Sequence, residues 1–130
     1  MATILHSGLL GIVLVILSVR VIALRGNPAF ALFKFGYGGE YALDRAVRAH
    51  GNLAEYAPTL LLMMLIAEQS RYLSFALHCY GGTILLGRLM HGVCFGFMES
   101  ISPLRIAGTV LTLFPLLGLS VILLGQYFSS

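Results

Sequence analysis

Charge is what this sequence has least of. Asp, Glu, Lys and Arg make up 10% of its 130 residues and hydrophobic types 58%, whereas a soluble domain carries about 25% charged and about 45–50% apolar residues. A soluble globular protein is thereby excluded. There is no basic run with interleaved aromatics, so the net charge of +3 makes no case for nucleic acid. The two cysteines, Cys79 and Cys94, stand 15 positions apart inside one apolar stretch, beyond disulfide reach in a straight helix. They read as small buried apolar residues. No CxxC occurs, and His6, His50, His78 and His91 never form a closely spaced ligand pair, so no metal is expected. No Lys or Arg precedes Arg20. The opening segment therefore lacks the positive start of a cleaved secretion signal and is expected to remain in the mature chain.

Four stretches are long enough to cross a membrane, at about 20 residues each: Ala2 to Leu24, Leu43 to Ala67, Leu73 to Phe97 and Pro103 to Phe128. Their continuous apolar character lacks the alternation of barrel strands. The expected fold is an all-α membrane protein, one four-transmembrane-helix bundle spanning residues 1–130. Seven of the eight basic residues (Arg20, Arg25, Lys34, Arg45, Arg48, Arg88, Arg105) lie near the first and third connections and only Arg71 in the second. By the positive-inside rule both termini face away from the cytoplasm.

The first connection, "RGNPAFALFKFGYGGEYA", holds Gly36, Gly38 and Gly39 and is expected to be irregular. The second, "EQSRY", reads as a tight turn. The third ends in a helix start, with Ser102 as cap and Pro103 at the first helical position. Glycines 81, 82, 87, 92 and 96 of the third span suit close helix contact in lipid. So few polar groups fit inside one such bundle that an oligomer, with sites between subunits, would shelter the charges.

The polar residues gather on the second span. At about 100° per residue, Arg48, Asn52, Glu55 and Tyr56 share one face while His50 points away. A charge at mid-bilayer costs at least about 2.5–3.5 kcal/mol, so such groups face an interior or a cavity. Arg48 and Glu55 are either partners of each other or grip a ligand of both signs, with a carboxylate on Arg48 and Asn52 and an ammonium on Glu55. Pro58 leaves the Ala54 carbonyl without its helical donor, adding an acceptor and a kink. Arg88, His91 and Phe95 share a face of the third span. Arg105 lies in the first turn of the fourth, where the helix dipole disfavours a cation. There it is balanced by Glu99, snorkels to headgroups, or joins the helix terminus in holding an anion.

"RAVRAHGNLAEYAP", "GRLMH", "SPLR" and "GYGG" together resemble the MAPEG family, the membrane-associated proteins in eicosanoid and glutathione metabolism, and most closely its small bacterial members. The resemblance covers the chain from about Arg25 to Arg105. It implies a homotrimer that binds glutathione as co-substrate between subunits near the cytosolic face and conjugates it to a lipophilic electrophile dissolved in membrane lipid. Carried over, Arg48 and Asn52 hold a carboxylate, Glu55 the ammonium, and Tyr56 lends a hydroxyl. His50 serves the site shared with the adjacent subunit, while Arg88 and His91 line the pocket. Arg105 matches the arginine near the thiol and would be catalytic, favouring the reactive thiolate over a thiol of pKa about 8.5. Phe95 stands where several eicosanoid-making members have tyrosine, which favours a general glutathione transferase or peroxidase, with no metal. Two other readings compete. One is a lipid- or glutathione-binding family member without catalysis. The other is a small proton-coupled drug exporter, disfavoured because the first span has no Asp or Glu and Glu55 travels with Arg48 and Asn52.

Overall fold

The computed structural model describes residues 1–36, 38–99 and 102–130, with Ser102 described by its backbone alone. Four long helices follow one another: α1 (Ala2–Leu24), α2 (Gly39–Gln69), α3 (Ser74–Phe97) and α4 (Ser102–Ser129). All four expected spans are helical. The cap assigned to Ser102 and the tyrosine of "GYGG" lie outside the described residues.

The largest departure from expectation is the length of α2. Its 31 residues rise about 46 Å at about 1.5 Å per residue, well beyond a hydrocarbon core of about 30 Å. The helix starts at Gly39, four residues before the apolar stretch, with Glu40 of its first turn favourably placed at its positive end. A helix of that length exceeds the hydrocarbon core, and its charged first turns suit the end outside the lipid tails. The helix runs on through Pro58.

One edge of α2 is buried along its whole length: Ala42, Ala46, Ala49, Leu53, Ala57, Leu60, Met64 and Ala67. That spacing of three and four keeps one stripe facing inward. Alanines at the charged end let neighbouring helices come close, and larger residues fill the other end, where Leu60 and Met64 meet Leu77, Ile84 and Leu119. The two central helices are α2 and α3. Helix α1 packs on both and α4 packs on both, while α1 and α4 share no packing among the described residues. This order explains the composition, since the outer helices α1 and α4 are the long apolar spans and their outer faces meet lipid.

Two helix ends are satisfied from elsewhere in the chain, and a third closes on itself. The first amides of α1 have no capping side chain of their own. Glu68, at the far end of α2, accepts from the Ala2 amide at 2.5 Å and from the Thr3 amide at 3.2 Å, placing a carboxylate at the positive end of α1. At the other end of the bundle, α3 stops at Phe97, so the carbonyls of its last turn lack helical donors. Arg45 of α2 donates to the Cys94 carbonyl at 2.8 Å, and Arg20 of α1 donates through Nε to the Gly96 carbonyl at 3.0 Å. α2 closes with the Arg71 amide on the Glu68 carbonyl at 3.1 Å and the Tyr72 amide on the Ala67 carbonyl at 3.0 Å, the pattern that demands a left-handed residue at Arg71, φ 59°. An arginine there is strained by about 1–2 kcal/mol. Arg71→Gly is therefore expected to raise stability, by up to about 1 kcal/mol after the added freedom of the unfolded chain, read as a higher melting temperature in detergent.

The first connection is more ordered than its glycines suggested. Residues Pro28–Lys34 form a 3₁₀ segment, started by Pro28 and by the Asn27 side chain accepting from the Ala29 amide at 3.0 Å. Arg20, completely buried, fixes it by donating to the carbonyls of Phe33 and, at 2.7 Å, Phe35. Its guanidinium also lies 5.2 Å from the Phe35 ring and 5.1 Å from that of Phe97. Around the glycines the expected irregular backbone remains, with Gly36 at φ 85° and Gly38 extended, while one buried cation orders the 3₁₀ residues before them, which kink at Phe30.

Three of the five α3 glycines, Gly81, Gly87 and Gly96, mark close approaches. A Cβ on Gly87 would fall 3.0 Å from the Gly108 carbonyl oxygen, and one on Gly108 2.8 Å from that of Gly87, so α3 and α4 cross backbone to backbone. Gly82 faces open space. The pairing of the cysteines as two buried residues is also corrected. Cys94 is buried, but Cys79 is exposed because its position on α3 turns outward into a groove shared with α4.

Candidate functional site

The eight residues from Arg48 to Glu55 carry three polar side chains on one side of α2, and α3 runs beside them. Together they form an open groove of about 430 Å³ lined by Val47, Arg48, Gly51, Asn52, Glu55, His91 and Phe95. This volume lies within the range of small-molecule sites, about 300–1,000 Å³. Arg48, Asn52 and Glu55 climb it in sequence, and His91 and Phe95, stacked with centroids 4.6 Å apart, form the opposite wall.

Arg48 does not pair with Glu55. Its Nε lies 3.0 Å from the Asp44 carboxylate, one turn earlier, with both side chains more than half exposed. An exposed pair of this kind contributes only about 0–1 kcal/mol, so Arg48 can turn from Asp44 to a ligand at little cost. Glu55 is exposed and has no ion pair among the described residues, leaving its carboxylate available to a cation.

Behind the groove, α2, α3 and α4 meet at Arg88, which is 3% exposed. It donates through Nη1 to the Asn52 side-chain oxygen and through Nη2 to the Gly108 carbonyl at 3.3 Å. Its guanidinium lies 5.5 Å from the Tyr56 ring centroid. Arg88, Asn52 and Tyr56, with Thr109, Thr112 and Leu113, enclose a second space of about 30 Å³, room for one or two waters. Arg88 thus acts on the groove through Asn52. Because Asn52 commits its oxygen to Arg88, its amide offers the groove only N–H donors.

His50 faces the other flank of α2. It lines a separate groove of about 220 Å³ with Ser18, Val21, Ile22, Arg25 and Val47. Tyr56 is half-buried and lines the enclosed space rather than the groove. Arg105 is exposed in the first turn of α4 and is not among the groove-lining residues. Within one chain, then, the structure gathers Arg48, Asn52, Glu55 and His91 into one groove, places Arg88 and Tyr56 behind it, and leaves His50 and Arg105 on separate surfaces.

Sequence reasoning missed Asp44, Arg45 and Arg20. The spacing of Asp44 and Arg48, four residues apart with the acid first, was the available signal for their pairing. Nothing local signalled that Arg20 and Arg45 reach the end of α3, since both contacts cross between helices.

A family model, described as the MAPEG family, matches residues 3–125. The chain is also 33% identical over 108 residues to the inner membrane protein YecN of Escherichia coli strain K12, covering 83% of this chain and 79% of that protein. The YecN protein of Escherichia coli O6:H1 matches to the same extent.

Proposed function

From the groove's charges, and because this chain belongs to the MAPEG family, a family that includes glutathione transferases and is embedded in the membrane, we propose that it is a membrane-embedded glutathione transferase. It binds glutathione as co-substrate and activates the thiol for attack on lipophilic electrophiles, in detoxification, with peroxidase activity on lipid-dissolved peroxides as a second use of the same thiol. Similarity to an inner membrane protein supports a bacterial inner membrane, and the placement of the basic residues supports both termini facing away from the cytoplasm.

The observation that carries this reading is the single groove holding Arg48, Asn52 and Glu55. Two donors followed by an acceptor match an amino acid end of glutathione, its carboxylate on Arg48 and the Asn52 amide and its ammonium on Glu55. The groove is open along one side, and His50 and Arg25 line another on the opposite flank of α2. A homotrimer would close the first against a neighbour and bring in the second, and would carry Arg105 of α4 towards the thiol. There a fixed cation raises the fraction of reactive thiolate.

Glutathione binding to the purified protein, measured by calorimetry, tests the reading. Arg48→Ala and Glu55→Ala should each weaken it by about 10-fold or more, the worth of one charge-assisted hydrogen bond. Arg105→Ala should reduce conjugation rate more than affinity. Failure of the unmutated protein to bind glutathione rejects the proposal, and binding without any thiolate absorbance or conjugation reduces it to a non-catalytic glutathione-binding protein.

A further inference from the structure

Phe95 is held between two helices. His91, one turn earlier on α3, stacks on its ring with planes 27° apart. From α2, Arg45 places its guanidinium carbon 4.7 Å from the ring centroid. The same guanidinium donates to the carbonyl of Cys94, the residue before Phe95, and stands 5.7 Å from the Tyr41 ring. Arg45 is thus tied to both the backbone and the ring at this point of α3. It does not line the groove, whereas His91 and Phe95 do.

An aromatic ring is negative on its faces and positive at its edge. A cation over one face draws on that negative density and leaves the edge more positive. Sulfur also favours the ring edge, at about 5 Å. Resting on the reading that the groove binds glutathione, we infer that Arg45 is a positioning residue acting through Phe95. With guanidinium and imidazole both packed on the ring, a thiolate in the groove would meet the ring at its edge, and that edge favours the anionic sulfur over the neutral thiol. A polarised ring edge then does part of the work of the hydroxyl that Phe95 lacks.

The test uses the full-length protein in detergent with glutathione as the probe, following thiolate absorbance against pH. Arg45→Met should lower the thiolate fraction below its midpoint about threefold, the size of one partly desolvated cation–π contact, while glutathione affinity stays within about twofold. Arg45→Lys, which keeps a cation able to sit over the ring, should recover part of the signal. Phe95→Leu should produce the same loss, and adding Arg45→Met to it should produce no more, because coupled residues are not additive. An unmoved signal in either single variant overturns the inference, and so does a further loss in the double variant. Phe95→Leu still decides the matter if Arg45→Met does not fold. Absence of a thiolate signal in the unmutated protein overturns this inference together with the reading beneath it, whereas a normal signal indifferent to Arg45 overturns this one alone.

Discussion

Arg20→Leu should destabilise the bundle by about 3–5 kcal/mol, the range for removing one partner of a buried charged contact. Leucine fills much of the space but leaves the carbonyls of Gly96, Phe33 and Phe35 without the donor that satisfies them, each orphaned acceptor costing about 1–3 kcal/mol where water is excluded. The loss has a location as well as a size. Because Arg20 ties the 3₁₀ segment Pro28–Lys34 to the end of α3, limited proteolysis should begin to cut in that segment while the rest of the bundle resists. Arg20→Lys should recover only part of the stability, since an ammonium is a point donor and cannot span three acceptors with a planar fork. A melting temperature unchanged by Arg20→Leu, with the segment still protected, would show that the helices hold the connection without it.

Arg88→Met should separate stability from binding. Removing the guanidinium strands the Asn52 oxygen, while the Gly108 carbonyl keeps its bond from Thr112 at 2.9 Å. The expected destabilisation is therefore about 1–3 kcal/mol, that of a single stranded acceptor. Glutathione affinity should fall about 10-fold or more, because an Asn52 amide freed from Arg88 no longer holds its donors towards the groove. Asn52→Leu combined with Arg88→Met removes both partners and should regain stability, since matched apolar replacement is often neutral. Binding should not return. Calorimetry and thermal melting on the unmutated protein and these two variants check both halves, and parallel recovery of the two would mean that Arg88 serves the fold alone.

The helices were legible because lipid imposes a simple rule, long apolar runs, and α1 and α4 follow it end to end. α2 was legible only from Leu43 onward. Its first four residues, Gly39, Glu40, Tyr41 and Ala42, form no apolar run, so hydropathy does not register the helix they belong to. The groove was legible where it depends on one helix, since the spacing of Arg48, Asn52 and Glu55 puts them on one face wherever α2 packs. It was illegible where helices meet. That Asn52 answers to Arg88, 36 positions away, or that Arg45 serves the end of α3, follows from packing between helices, and no periodicity within either helix encodes it. The Tyr56 ring illustrates the limit, sharing the face of Arg48 by angle yet lying under Arg88 once α3 and α4 are in place.

The carboxylate at the start of α1 has a consequence for biogenesis. Glu68 is 66 positions from the Ala2 amide it receives, and chains are made and inserted from the N-terminus onward. While the ribosome is still extending α2, the opening turn of α1 has no acceptor for those amides and must frayed or hydrated wait at the membrane surface. Synthesis of residue 68 ends that wait, so the opening turn of α1 locks only once α2 is complete.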